Sequence, residues 1–427
     1  MKEHVPPPPP LVHNQFETVK ELFTRYVVPS YARFDVAFSH GSGSWVWDVR
    51  GKRYLDFGGG IAVNALGHAH PELTETLVEQ SRRLVHVSNL YYHEPQGRLA
   101  QRIVKHLAPG KVFFCNSGAE ANEGLFKLAR KFGHAEGRFE IITAFNSFHG
   151  RTLAGIAATG QDKVKKGFEP AVPGFRHVPF NDLDAIRKAI SPATIAVLIE
   201  GVQGEAGIAP VTPEYLLGLR QLCDERKMLL MMDGVQDGLF RTGRFQAFQR
   251  ILENAPGTFV PDALSMAKSL GGGFPIGAFW VRDRHADLLG AGTHGTTFGG
   301  TPLACAMALK VFEVIERDGL DGNARALGEL LKSELQRIAS AFPQVIKTVR
   351  GLGLMLGIEL AAKESIRAFA TNEKGASIQF VNRLHDAGLL AIPSGTQVVR
   401  LLPALNLTDV QAREGIAIIE HLVKSLA

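Results

Sequence analysis

Cysteine is nearly missing from this 427-residue chain. Cys115, Cys223 and Cys305 stand far apart with no CxxC pair, which excludes a disulfide framework and leaves no zinc-ligand spacing. No apolar run approaches the roughly 20 residues that a membrane helix needs. Charge of one sign is also scarce: 47 basic residues face 42 acidic ones, for a formal net charge of +5 without a long Lys/Arg block. That balance is too diffuse for a nucleic-acid footprint. What remains, 45% hydrophobic and 21% charged residues, is the composition of a soluble globular protein, expected in a reducing cytoplasm. The length implies two or three domains.

The pattern along the chain assigns these. The first segment, 1–15, holds five consecutive prolines, Pro6 to Pro10, with one Lys, one Glu and no Arg. It matches neither a secretory signal nor an Arg-rich transit peptide and reads as a disordered or polyproline arm. A hairpin with Trp45, Trp47 and Tyr54 is expected over 43–57. Two helices are expected within 71–106, broken at 89–95. Short apolar segments at 112–115, 139–145, 195–200, 228–233 and 263–266 then alternate with amphipathic stretches such as 119–132 and 213–226. Strands that are apolar throughout and alternate with helices indicate an α/β fold with a mainly parallel sheet covered on both faces. After a helix at 302–317 the pattern changes to helix 323–342, strand-like 345–360, helix 376–387, strands 389–392 and 398–402, and helix 408–426. The expected division is therefore a large domain over 71–322 and a smaller α+β domain assembled from 16–70 and 323–427.

Chemistry-bearing residues cluster where these strands end. An apolar run delivers Asp233, Gly234, Val235 and Gln236, and Lys268 follows the next one, in Ser265-Met-Ala-Lys-Ser-Leu-Gly-Gly-Gly. An amine for a Schiff base and a carboxylate for a pyridine nitrogen are the least that pyridoxal phosphate requires, although a lone lysine is usually a solvated surface charge. The turn Asn116-Ser117-Gly118-Ala119 opens a helix, so its free N–H groups and dipole suit a phosphate. It reads equally as an ordinary cap by Ser117, and it is neither a GxGxxG nor a Walker loop. Phe148 and Arg151, in Ser147-Phe-His-Gly-Arg-Thr152, offer a stacking face and a carboxylate clamp, or plain packing and a surface ion pair. Glu200 and Glu205 flank a glycine-rich turn, Thr297 lies in a polar loop before a helix, and Arg400 ends an apolar strand and needs an anion if buried. His68 and His70 resemble metal ligands but no third ligand accompanies them, and a satisfied loop pair is the better reading; no metal is expected. Nearly all these elements sit at carboxyl ends of parallel strands, where open α/β sheets place ligands.

The motifs Leu55-Asp-Phe, Gly60-Ile-Ala-Val-Asn-Ala-Leu-Gly-His-Ala-His-Pro71, Phe114-Cys-Asn-Ser-Gly-Ala-Glu-Ala-Asn122, Gln203-Gly-Glu205, Arg241-Thr-Gly243, the Lys268 run and Thr297-Phe-Gly-Gly300 together resemble the class III pyridoxal-phosphate aminotransferases of fold type I. Within that family the acetylornithine aminotransferases, enzymes of arginine biosynthesis, are most similar. The resemblance runs from about Tyr31 to the C-terminus. It implies that Lys268 bonds the cofactor and shuttles a proton, and that Asp233 keeps the ring nitrogen protonated. Val235 and Phe148 sandwich the ring, Gln236 reaches its phenolic oxygen, and Ser117, Gly118 and Ala119 hold the phosphate, with Thr297 arriving from the partner subunit of a homodimer. Tyr31 and Arg151 are implied to bind substrate. Arg400 pairs with Glu205 for the amino donor and is released for a carboxylate of 2-oxoglutarate or glutamate.

The implied reaction moves the terminal amino group of N2-acetylornithine, or of a related ω-amino acid such as ornithine, succinylornithine or 4-aminobutyrate, to 2-oxoglutarate. A lyase or decarboxylase on the same cofactor and a non-catalytic relative are the rivals. The chain departs from the family pattern in four places. Gly234 replaces a usual glutamate, Gly201 a usual proline, Asp237 a small polar residue and Phe240 a glycine. Gly60 stands where ornithine δ-aminotransferases carry a tyrosine, which favours an acylated substrate.

Overall fold

The computed structural model describes residues 15–427. The expected proline arm lies outside the described residues except for Gln15, which begins the helix Gln15–Tyr26. Seven strands form the large sheet, in the order Gly110–Cys115, Gly277–Arg282, Ala263–Met266, Leu229–Asp233, Thr194–Glu200, Glu140–Ala144 and Phe175–Val178. Only Gly277–Arg282 runs against the rest. Every residue of Thr194–Glu200 and of Leu229–Asp233 is buried, and successive side chains serve opposite faces. Leu230 and Met232 join one apolar core while Leu229 and Met231 join another. This two-sided burial is why the strands read as unbroken apolar runs rather than as alternations, and each such side chain contributes about 1.5–3 kcal/mol.

Parallel register places Glu200, Asp233 and Ser265 side by side at the carboxyl edge. The helix Gly118–Gly133 packs on the strands Gly277–Arg282, Ala263–Met266 and Thr194–Glu200, so its N-terminus opens at that same edge.

The two chain ends meet elsewhere. Strands Phe38–Ser42, Trp45–Asp48 and Arg53–Asp56 form a meander, and Leu389–Leu390 adds to Arg53–Asp56 in parallel. A second four-stranded sheet, ordered Ile346–Leu352, Met355–Leu360, Val398–Leu401 and Ile392–Ser394, packs against the helix Leu320–Ala341. Several details differ from the sequence expectation. The stretch 345–360 is a tight hairpin rather than one strand, turning at Gly353 (φ +53°), where a Cβ would approach the Thr242 backbone to 2.7 Å. The stretch 389–392 divides between two sheets. The strands Phe175–Val178 and Gly277–Arg282 and the helix Gln15–Tyr26 were not anticipated, and the expected division between 322 and 323 falls inside Leu320–Ala341. No helix among the described residues is long and apolar enough to cross a membrane.

Candidate active site

Asp233 ends its strand at the floor of a cavity of about 440 Å³. Its Oδ2 accepts a hydrogen bond from Asn122 Nδ2 at 2.8 Å and lies 2.8 Å from His149 Nδ1. Oδ1 accepts from the Val235 N–H at 3.1 Å and from the Ser265 hydroxyl at 3.4 Å. Since a carboxylate only accepts, His149 carries its proton on Nδ1. Burial alone would raise the Asp233 carboxyl, but the His149 hydrogen bond and charge, with Asn122, outweigh it and hold the group below the usual carboxylate range. The floor of the cavity therefore carries a fixed negative charge.

Lys268 directly follows the strand Ala263–Met266 and Ala267, with a left-handed backbone (φ +48°) that a non-glycine residue adopts only when its surroundings hold it there. The Ser269 hydroxyl donates to Ala62 O at 2.9 Å and pins the turn. Burial, and then the Arg400 cation, lower the Lys268 amine to about 8, which makes it an effective proton carrier near neutral pH.

Ser117 caps the helix Gly118–Gly133, its Oγ accepting the Glu120 N–H at 3.2 Å. Gly118 and Ala119 line the cavity, and their first-turn N–H groups have no intrahelical acceptor, with the positive end of the helix dipole behind them. A Cβ on Gly118 would come within 2.7 Å of Val235 Cγ1. Glycine lets this turn close down on Val235, just beyond the strand that ends at Asp233.

The cavity brings together Ser117, Gly118, Ala119, Phe148, Arg151, Asp233, Val235, Gln236 and Lys268. Arg151 is exposed at its mouth, with its guanidinium carbon 5.4 Å from the centre of the Phe148 ring. Behind Gln236 lies Arg400, whose side chain is 3% exposed; its Nη1 donates to Glu205 Oε1 at 2.5 Å and to Gln236 Oε1 at 3.3 Å. Two of the expected residues stand apart. Tyr31 is exposed and lines a second cavity of about 670 Å³ with Gly60 and His68. Thr297 is exposed on a loop whose neighbours Thr296 and Gly299 accept hydrogen bonds from Asn89. His68 is engaged by Asp56 at 2.8 Å, and no cluster of metal-ligating side chains occurs among the described residues.

Sequence reasoning assigned no role to His149 or Asn122. Asn122 stands one helical turn beyond Gly118, so helical spacing alone could have placed it beside the cradle. His149 adjoins Phe148, but the 84 residues separating it from Asp233 hide the contact. Glu200 was noted only as part of a turn. It is buried against the cavity, accepts from the N–H groups of Phe148 (3.2 Å) and Gly204 (3.4 Å), and is pushed well above the usual carboxylate range by burial and then by Asp233.

An ionised carboxylate below a flat apolar slot, an amine of lowered basicity at its side and a helix N-terminus at its end form the site of a fold type I pyridoxal-phosphate enzyme. Residues 26–423 match the family described as aminotransferase class-III, and the chain belongs to that family: it is a pyridoxal-phosphate-dependent transaminase. It is 44% identical to the acetylornithine aminotransferase of Gloeobacter violaceus over 412 residues, covering 96% of this chain and 98% of the relative. It is 43% identical to the succinylornithine transaminase/acetylornithine aminotransferase of Pseudomonas aeruginosa, covering 97% and 98%. Among solved structures, the ornithine aminotransferase of Toxoplasma gondii superposes with a TM-score of 0.89 at 30% identity, covering 97% of this chain and 96% of that one. The cavity fits the cofactor on its own evidence, because its donors and acceptors match an amine-reactive, phosphorylated, protonatable ring. When bound, that group supplies an electron sink for a carbanion.

Proposed function

We propose that this transaminase moves the terminal amino group of N2-acetylornithine, or a close ω-amino analogue, to 2-oxoglutarate, giving a semialdehyde and glutamate. The Arg400–Glu205 pair carries the reading. A buried guanidinium is costly without an anion, and here the anion is a side chain that is itself 29% exposed. With Glu205 in place, the pocket is neutral toward an uncharged acyl tail. With Glu205 turned toward solvent, Arg400 binds the distal carboxylate of 2-oxoglutarate through charge-assisted hydrogen bonds. Arg151 holds the carboxylate common to both substrates, Lys268 Nζ carries the proton between carbon centres, and Asp233 keeps a proton on the ring nitrogen. Ser117, Gly118 and Ala119 receive the phosphate, while Phe148 and Val235 flank the ring and Gln236 takes its phenolic oxygen.

Gly60 (φ +64°) leaves the second cavity open beside Tyr31, and the atoms nearest a Cβ there, on Asn64 and Val63, lie at 3.5 Å or more. That space supports an acylated donor, with Tyr31 beside it, whereas the likeness to an ornithine aminotransferase structure keeps free ornithine as the second reading. Half-reactions with acetylornithine, succinylornithine, ornithine, 4-aminobutyrate and lysine, followed through the absorbance of the bound cofactor, test the choice. The acylated donors are expected to give the highest kcat/KM, and a preference for ornithine or 4-aminobutyrate overturns it.

The working unit of this reading is a homodimer with Thr297 of each chain completing the phosphate site of the other. Exposed Leu90, Tyr91, Tyr92 and Phe298, on two loops joined by Asn89, support a covered apolar face. A monomeric mass in light scattering overturns it. Three buried, unpaired cysteines suit a reducing cytoplasm, and the large domain is drawn over 71–322, with the small domain from 16–70 and 323–427.

A further inference from the structure

Asp237 and Gly201, two positions where the chain departs from the family pattern, face each other. Asp237 is 2% exposed, and its Oδ2 accepts the Val202 N–H at 2.7 Å. A Cβ on Gly201 would lie 2.7 Å from that same oxygen and 2.9 Å from the Ala247 Cβ. The carboxyl thus fills the volume that any side chain at 201 would need, and the two departures are one compensated change. Both residues sit at the base of a small hairpin, where strands Val202–Gln203 and Ala209–Pro210 pair antiparallel and the Val211 N–H donates to Gly201 O at 2.9 Å.

The tip of this hairpin carries Glu205. Its backbone has further anchors: the Ser394 hydroxyl donates to Glu205 O at 2.7 Å and accepts the Gly207 N–H at 3.0 Å, and Gln203 Nε2 donates to Phe145 O at 3.1 Å. At the base, Asp237 is the only side-chain acceptor for Val202 among the described residues. Asp237 does not line the cofactor cavity; its charge bears on Asp233 and Glu200 at the cavity floor, in both half-reactions alike, so an effect that differs between the substrates passes through the hairpin.

We propose that Asp237 is a positioning residue that clamps the base of the 202–210 hairpin, sets Glu205 against Arg400, and thereby tunes the balance between an uncharged-tail amino donor and a dicarboxylate acceptor. The inference rests on the transaminase reading and on the two uses of Arg400. Burial, opposed by the Val202 N–H bond and reinforced by Asp233, pushes the Asp237 carboxyl up to about 7. Both of its protonation states keep an acceptor oxygen, so the clamp holds in either.

The test uses the holoenzyme and four variants, Asp237→Ser, Asp237→Asn, Glu205→Gln and the double variant Asp237→Ser/Glu205→Gln. KM and kcat are measured for each half-reaction with acetylornithine and 2-oxoglutarate as probes. Asp237→Ser is expected to raise the ratio of the acetylornithine KM to the 2-oxoglutarate KM about tenfold with kcat nearly constant, and to add nothing in the Glu205→Gln background. Asp237→Asn, which keeps the acceptor oxygen, returns the ratio to within about twofold of wild type. Gly201→Ala, whose Cβ displaces the carboxyl, gives the same shift as Asp237→Ser and serves if that variant does not fold. An unchanged ratio, or the same factor in the presence and absence of Glu205, overturns the proposal. A wild-type holoenzyme whose spectrum does not respond to glutamate removes the transaminase reading instead, and that result is scored separately.

Discussion

Asp233 and Glu205 are both carboxylates of one crevice, and the structure treats them in opposite ways. Asp233 is 4% exposed and faces four donors, Asn122, His149, the Val235 N–H and Ser265. Glu205 stands 29% exposed on a hairpin tip, with Arg400 as its charged partner. To move Asp233 would strand a buried charge, which costs several kcal/mol. To move Glu205 returns its carboxylate to water and breaks a charge-assisted bond of about 1.5–3 kcal/mol, and on the proposed reading the anion that buried Arg400 then requires is the carboxylate of the incoming substrate. Arg400 would still donate to Gly204 O and Pro393 O. On the proposed reading, the floor of the site does one thing in every turnover, and the Glu205–Arg400 pair, here called the mouth, does two.

Substitutions that break the floor should have the largest effects and should not discriminate between substrates. Lys268→Ala removes the proton carrier, and turnover is expected to fall by at least about 10³-fold with any donor; steady-state assays with circular dichroism as a folding control check this. His149→Gln weakens the support of the Asp233 charge, so that burial carries its carboxyl upward. A loss of roughly 10- to 100-fold is expected, equal in both half-reactions, and single-turnover rates read it.

Substitutions at the mouth should separate the substrates. Glu205→Gln keeps the size but not the charge, and the donor half-reaction is expected to lose about tenfold in kcat/KM while the 2-oxoglutarate half-reaction holds or improves.

The smallest effect concerns stability. The Asp237 carboxyl titrates near 7 when folded but in the ordinary carboxylate range when unfolded, so between those values the folded state binds the extra proton. Its contribution is full at low pH and is lost as pH rises through about 7. Asp237→Asn stays neutral, and the apoprotein variant is expected to melt about 2 °C or more above wild type at pH 8, with a difference roughly a third as large at pH 5. Glu200 is raised in the same direction, in part by Asp237 itself, so its smaller rise in the variant adds to the difference with the same sign. Equal differences at the two pH values would contradict the assignment.

The sequence exposed the floor and mouth unequally. Strands such as Leu229–Asp233 were legible because burial on both faces leaves no polar position, and the Lys268 and Asp233 ends followed from them. Gly277–Arg282 was missed because it follows the lysine turn with no helix between, where the βα alternation fails. The helix Gln15–Tyr26 carries Phe16, Val19, Leu22, Phe23 and Tyr26 at helical spacing, a stripe that was legible but went unassigned beside the proline run, and it buries no residue. The bonds of His149 and Asn122 to Asp233 span 84 and 111 residues and follow only from the fold. Departures such as Gly201 and Asp237 were visible singly, but their contact was not.

The division of labour is tested most directly by single-turnover rates of both half-reactions in His149→Gln and Glu205→Gln. The account predicts that the His149 variant slows the acetylornithine and 2-oxoglutarate halves by the same factor, and that the Glu205 variant slows only the first. A Glu205 variant that slows both halves equally, or a His149 variant that slows only one, would contradict it.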